Sequence, residues 1–205
     1  MMSSHYFSSE PTAAHQPREL RVTLLGEERL LGTDSGIFSP DGIDKGTAIL
    51  LNEAPVPPTR GNLLDIGCGW GPIALSLALL SPEATVYAVD VNERALGLTR
   101  QNAERLGLSN LHTALPDQLD PELRFDAIWS NPPIRVGKEV LHQILQQWLP
   151  RLSPGGSAYL VVQKNLGSDS LQRWLTESFA SSGFTVSRYT TAKSFRILEV
   201  QRTAA

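Results

Sequence analysis

The chain has 205 residues, 41% hydrophobic and 19% charged, a length for one domain or at most two small ones and a balance that excludes wholesale disorder. No apolar run reaches the roughly 18 residues of a membrane span, the single cysteine (Cys68) cannot form an internal disulfide, and the four histidines lack metal-ligand spacing. With no basic, apolar signal segment at the N-terminus, a cytoplasmic protein with no metal and no membrane attachment is expected.

Residues 1–19 read as a loose arm rich in Ser, Pro and His. Leu20 to Leu25 and Arg29 to Leu31, around Gly-Glu-Glu, read as a hairpin. Lys45 to Asn52 is a short helix before the linker Pro55-Val56-Pro57-Pro58. Residues 1–54 are thus expected to pack as arm, hairpin and helix on a unit of residues 55–205. In that unit strand and helix alternate: strand Asn62 to Ile66, helix Pro72 to Leu80, strand Thr85 to Val89, helix Glu93 to Leu106. Strands Leu111 to Ala114 and Phe125 to Ser130 follow, then a helix over Lys138 to Leu152 with an apolar stripe from Val140 to Leu149. Strand Ala158 to Val162, helix Leu171 to Ser181 and strands Thr185 to Tyr189 and Phe195 to Gln201 close the chain. The alternation implies an α/β fold, a doubly wound, mostly parallel seven-stranded sheet preceded by the hairpin. Ligands of such sheets bind beyond the carboxyl ends of the strands at the topological switch point.

At that place the first strand of the alternation runs into Asp65-Ile66-Gly67-Cys68-Gly69-Trp70-Gly71-Pro72. The glycines allow a tight turn and a close ligand approach, and the helix from Pro72 is expected to point free N–H groups into the same space. A plain strand-to-helix turn is the bland alternative. A dinucleotide fingerprint would need glycine where Pro72 stands. Asp65 would repel a pyrophosphate but attract an ammonium or sulfonium group. Asp90, ending the second strand, is placed to accept both hydroxyls of a ribose. A ligand with a ribose and a positive centre but no phosphate is S-adenosylmethionine, not NAD. Asp117, near the end of the third strand, is either an acceptor for an adenine amine or a turn aspartate.

The fourth strand ends in Ser130-Asn131-Pro132-Pro133-Ile134-Arg135-Val136-Gly137-Lys138. The prolines remove donors, so the carbonyls of Asn131 and Pro132 are expected to face outward, unpaired within the segment. With the Asn131 amide oxygen they form a rigid acceptor loop suited to an exocyclic amine, whose two hydrogens need two acceptors. An aryl amine is a poor nucleophile, and accepting both its hydrogens favours the pyramidal nitrogen that attacks a methyl group in line. The bland alternative is a stiff turn before a helix.

Together DIGCGWGP, VDVNERAL and NPPIRVGKEVLH resemble the Rossmann-like class I methyltransferases, and specifically the RsmC-like branch that methylates the 2-amino group of guanine in small-subunit ribosomal RNA. The similarity extends to Asp34-Ser35-Gly36-Ile37-Phe38-Ser39, Asp44-Lys45-Gly46-Thr47 and Val162-Gln163-Lys164, and to His5-Tyr6-Phe7 and Pro11 at the start. It implies that Asp65, Gly67, Cys68, Gly69, Asp90, Val91, Asp117 and Asn131 hold S-adenosylmethionine, with Thr47 at its amino-acid end. Asn131, Pro132 and Pro133 would form the catalytic loop for the amine. Ile134 replaces the aromatic residue found there in DNA adenine and protein glutamine methyltransferases, which weighs against those two substrates. A non-catalytic cofactor- or RNA-binding module is the remaining alternative, and the intact Asp65, Asp90 and Asn131-Pro132 weigh against it.

The expected partner is ribosomal RNA or the small subunit. Longer members of the branch bind RNA with a second, degenerate domain that this chain is too short to hold. Substrate contact then falls to the arm and hairpin, to Ile134, Arg135, Lys138 and Lys164 around the loop, or to the basic residues Arg188, Lys193 and Arg196. Charge is uneven: residues 1–162 hold 12 Lys+Arg against 18 Asp+Glu, residues 163–205 hold 6 against 3. Such residues meet phosphate or simply solvate the surface. His142 reads as structural, Trp129 and Trp148 as core, Cys68 as a small residue in a crowded turn, and Trp70 as either a cofactor cover or packing.

Overall fold

The computed structural model describes residues 14–204. His5, Tyr6, Phe7 and Pro11 lie outside them. Strands β1 (Pro17–Leu24) and β2 (Glu27–Asp34) form an antiparallel hairpin turned by Leu25 and Gly26, both at positive φ (53° and 81°). Such a turn matches the twist of its strands. The hairpin reaches beyond the expected 20–31 at both ends: Pro17, Arg18 and Glu19 are exposed and carry no apolar pattern, and Gly32, Thr33 and Asp34, though buried, offer no large apolar side chain.

Helix α1 (Lys45–Glu53) starts where the Asp44 side chain accepts from the N–H groups of Gly46 and Thr47. Strand β3 (Arg60–Ile66), helix α2 (Pro72–Leu80), strand β4 (Glu83–Val89), helix α3 (Glu93–Arg105) and strand β5 (Leu111–Ala114) follow. Then come β6 (Phe125–Ser130), α4 (Lys138–Trp148), β7 (Leu152–Gln163), α5 (Ser168–Phe179), β8 (Phe184–Ala192) and β9 (Phe195–Arg202). The sheet order is β5-β4-β3-β6-β7-β9-β8, parallel from β5 to β7, with β9 antiparallel to both neighbours. This is the expected doubly wound seven-stranded α/β sheet with its N-terminal hairpin. The order reverses between β3 and β6, which sets the switch point.

Strand alternation distributes the core. Leu64 and Ile66 face α4 and α5 with Leu145, Trp148, Leu171 and Leu175. Leu63 faces the opposite layer with Ile49, Leu50, Ile73 and Leu77. Asp65, two residues on from Leu63, shares that second face at the strand's end. The hairpin packs Val22, Leu24 and Leu31 against Leu75, Ala95 and Leu98 of α2 and α3.

Other boundaries also differ from expectation. The helix expected over 138–152 ends at Trp148, with a 3-10 turn over Leu149–Arg151, because Pro150 has no N–H to continue it. The strand expected at 158–162 begins at Leu152, which pairs with Phe125 ahead of a register shift. Gly156 makes this close approach possible: a Cβ there would lie 3.0 Å from the carbonyl oxygens of Phe125, Asp126 and Ser153. Helix α5 begins three residues before Leu171, after a left-handed Gly167. Among the described residues, no helix is long and apolar enough to cross a membrane.

Candidate active site

At the carboxyl ends of β3 and β6 a cleft opens between the glycine-rich turn, the segment before α1 and the Asn131 loop. Phe38, Ser39, Asp44, Thr47, Gly67, Cys68, Gly69, Trp70 and Asn131 are among its lining residues. The turn spends its donors inward. Gly67 and Cys68 both donate to the Val89 carbonyl (2.8 and 3.1 Å), and Gly69 N–H donates to Asp90 (2.9 Å). The helix-terminal donor Ala74 N–H goes to Asp65 Oδ2 (3.0 Å). One of the N–H groups expected free at the start of α2 is thus taken, and Pro72 has none to offer. An arriving phosphate would find few donors, so the turn is unlike a dinucleotide cradle.

Asp65 is fully buried, and among the described residues its second oxygen, Oδ1, has no hydrogen-bond partner. Burial pushes its carboxyl up to about 8, with the charge of Asp90 adding to the effect and the Ala74 N–H opposing it. Asp90 is likewise raised, by burial, against the N–H groups of Asn92, Gly69 and Val91. Gly67, at φ 75°, would aim a Cβ into space with no atom within 4 Å, so the turn offers bare backbone to the cleft. An unpartnered buried carboxylate, a second one nearby and a donor-poor turn fit a cationic, ribose-bearing ligand such as S-adenosylmethionine.

Cys68 is buried and its thiol is pushed up by burial, so it acts as a small residue. Trp70 is buried too, and its indole N–H holds the Ser39 carbonyl (3.1 Å), which makes it a packing residue that fixes the cleft's rim. Val91 follows Asp90 at the strand end and is half-buried. Asp117 is exposed in the turn after β5, apart from the residues that line the cleft.

Across the cleft, Asn131 Nδ2 donates to Asp44 Oδ2 (2.9 Å) and to Thr47 Oγ1 (3.1 Å). Both amide hydrogens are thereby spent, and Oδ1 is the group left to accept. The expectation that the Pro132 carbonyl is unpaired within its segment is corrected. It accepts from Ile134 N–H (2.8 Å) around Pro133, whose φ −75° and ψ 76° form an inverse γ-turn. Ile134 supplies the donor that the prolines lack, and the carbonyl keeps its second lone pair.

Ile134 turns toward the α4–α5 layer and packs on that core. Arg135 and Lys138 are exposed and make no ion pair among the described residues. Lys164 is held at the end of β7, its N–H on the Ser194 carbonyl (2.8 Å) and its ammonium on the Lys193 carbonyl (2.9 Å). Arg188 and Arg196 are both paired with Asp169, and of the three basic residues of that face Lys193, exposed at the tip of the β8–β9 hairpin, has no ion pair among the described residues. His142 stacks flat on Trp174, centroids 3.7 Å apart, a packing role. Sequence reading quotes Asp44 and Phe38 within the stretches of resemblance but gives neither a role; the structure places both on the cleft, Asp44 as a partner of Asn131 and Phe38 as an exposed aromatic. Among the described residues, no group of three or more His, Cys, Asp or Glu gathers to hold a metal.

Residues 28–199 match the family described as the methyltransferase small domain. The chain is 36% identical over 181 residues to the uncharacterized protein YbxB of Bacillus subtilis (strain 168), covering 87% of this chain and 90% of that one. It is 33% identical over 171 residues to ribosomal RNA small subunit methyltransferase C of Hahella chejuensis, covering 78% of this chain and 50% of that protein. Among solved structures it resembles the T. thermophilus 16S rRNA N2 guanine methyltransferase RsmC, in complex with AdoMet and guanosine. There the TM-score is 0.74 and the identity 26%, covering 91% of this chain and 50% of that one. The chain therefore spans about half the length of these two rRNA methyltransferases.

Proposed function

The chain belongs to the methyltransferase small domain family, and from that premise we propose that it methylates the exocyclic 2-amino group of a guanine in small-subunit ribosomal RNA. S-adenosylmethionine-dependent methyl transfer is the activity of the family. The guanine and the ribosomal substrate are the proposed part, supported by the likeness to RsmC, which was solved with AdoMet and guanosine. The observation that carries the reading is the Asn131 amide, whose hydrogens are both committed and whose oxygen is left to accept.

Asp65, Asp90 and Asp117, at or just beyond the ends of β3, β4 and β5, would hold the ammonium, ribose and adenine parts of the cofactor. Gly67, Cys68, Gly69 and Val91 would line it, with Thr47 at its amino-acid end. When bound, S-adenosylmethionine supplies an electrophilic methyl group on a positively charged sulfur. Asn131 Oδ1 and the second lone pair of the Pro132 carbonyl would accept the two hydrogens of the amine, and Pro133 stiffens the loop. That favours the pyramidal nitrogen and aims its lone pair, through orientation and electrostatics without a strong base. Arg135 and Lys138, after the Asn131 loop, and Lys164, at the end of β7, would meet RNA phosphates, and Ile134 braces the loop from behind. The cytoplasmic small subunit is the expected partner.

The test is transfer of radiolabelled methyl from S-adenosylmethionine to small subunits from a strain lacking this protein, followed by digestion to nucleosides. Label in 2-methylguanosine is the expected result. Label in methyladenosine or in protein refutes the substrate, and cofactor binding with no label anywhere refutes the enzyme. Asn131→Ala should bind cofactor normally and turn over at least a hundredfold more slowly, about 3 kcal/mol of transition-state stabilisation.

A further inference from the structure

We infer that Asp44 is a positioning residue: with Thr47 it holds the Asn131 amide so that the oxygen, and not the nitrogen, faces the acceptor amine. This rests on Asn131 accepting from the amine, as proposed above. A side-chain amide is nearly symmetric in shape, and a flip exchanges its oxygen and its NH2 at little steric cost. Flipped, Asn131 would aim donors at an amine that needs acceptors.

Asp44 forbids the flip, because an ionised carboxylate accepts only. Its Oδ2 takes Asn131 Nδ2 at 2.9 Å, and Thr47 Oγ1, buried in α1, takes the other hydrogen at 3.1 Å. The same Oδ2 receives the N–H groups of Gly46 (2.7 Å) and Thr47 (3.3 Å), so the helix start fixes the clamp itself. Bonding to a charged acceptor also polarises the amide and leaves more negative charge on Oδ1. Gly46 keeps the space clear: a Cβ there would lie 3.0 Å from Asp44 Oδ2 and 3.4 Å from Asn131 Nδ2. The Asp44-Lys45-Gly46-Thr47 motif thus orients a residue 87 positions further along the chain.

Asp44→Ser keeps a good helix cap but, one atom shorter and neutral, withdraws the oxygen that reaches Asn131, whereas Asp44→Asn keeps an oxygen there and loses the charge. Expected for Asp44→Ser are a kcat about tenfold lower or less still, cofactor Kd within about twofold and an unchanged thermal midpoint, with Asp44→Asn recovering part of the rate. The Asn131 side-chain amide resonances, identified by their loss in Asn131→Asp, should be protected from solvent exchange in the wild type and unprotected in Asp44→Ser. Wild-type kcat in Asp44→Ser, equal exchange in both proteins, or a kcat loss matched by equal losses in Kd and thermal midpoint overturns the assignment. If the wild-type protein labels no RNA, the substrate reading fails while the amide resonances still decide the orientation.

Discussion

Replacing Asn102 with alanine should loosen the hairpin from the body and lower global stability by about 3–5 kcal/mol. Asn102 lies fully buried in α3. Its Oδ1 accepts from Gly32 N–H (2.6 Å), and its Nδ2 donates to the carbonyls of Gly32 and Trp70 (both 2.9 Å). Three elements, the hairpin, the glycine-rich turn and α3, meet on this one amide. Alanine would leave one N–H and two carbonyls buried without partners, each costing about 1–3 kcal/mol, less what a water recovers in the space vacated. For a chain of this size that lowers the thermal midpoint by about 10 °C. Urea and thermal unfolding of the variant measure the loss, with Asn102→Asp, which forfeits both donated bonds and buries a charge, at least as unstable. Hydrogen exchange at Gly32 reports where it acts. If residues 1–54 pack on the 55–205 unit as proposed, Gly32 should open with the core in the wild type and ahead of it in the variant. A loss below about 1 kcal/mol would refute the reasoning.

Two further outcomes concern charge. Because the Asp65 carboxyl is raised to about 8 from an ordinary 3.8, the ligand-free native state keeps a proton that the unfolded chain gives up. Its contribution to stability is full below pH 3.8 and is lost as pH rises toward 8, so Asp65→Asn should flatten that slope in thermal midpoints taken across the range. Cofactor binding should run the other way, weakening as pH falls below 8 with proton release in calorimetry, and a pH-independent Kd would count against the role of Asp65. For the proposed RNA contact, the Arg135→Ala, Lys138→Ala pair should reduce the slope of log affinity against log salt by about 1–2 while leaving cofactor binding unchanged. An unchanged slope would remove both residues from the RNA contact.

What the sequence makes legible is whatever chemistry sits within a few residues. The β3 turn announces itself through Asp65, Gly67 and Gly69, and Asp90 through its place at a strand end, because both signals are local. The partners that decide their state are not. Asp44 and Asn131 are 87 residues apart, and nothing near either predicts their bond. Arg188 and Arg196 read as a basic face until folding brings both to Asp169, which lies on another element. Pro154, Gly155 and Gly156 fall ahead of the strand expected from Ala158, yet they lie inside β7, since the signal for a strand there is the close approach of Phe125 and Asp126 and not the residues themselves. The Pro132 carbonyl differs from expectation for a smaller reason: two prolines remove donors, but Ile134 directly after them restores one.

The placement of β9 has a consequence for how the molecule is made. Although it follows β8 in the chain, β9 lies inside the sheet, and among the described residues β8 has no other sheet neighbour. During synthesis β8 emerges first and finds no partner, while β7 waits as an open edge with its Val161 and Val162. Only when Phe195 to Arg202 leave the ribosome can the two be joined, and a chain stalled before Phe195 would expose an unpaired strand edge to its neighbours. Closure of the sheet therefore waits on the segment that follows β8, and a stop codon shortly before residue 195 should yield a product lost to proteolysis or aggregation, not a smaller working domain.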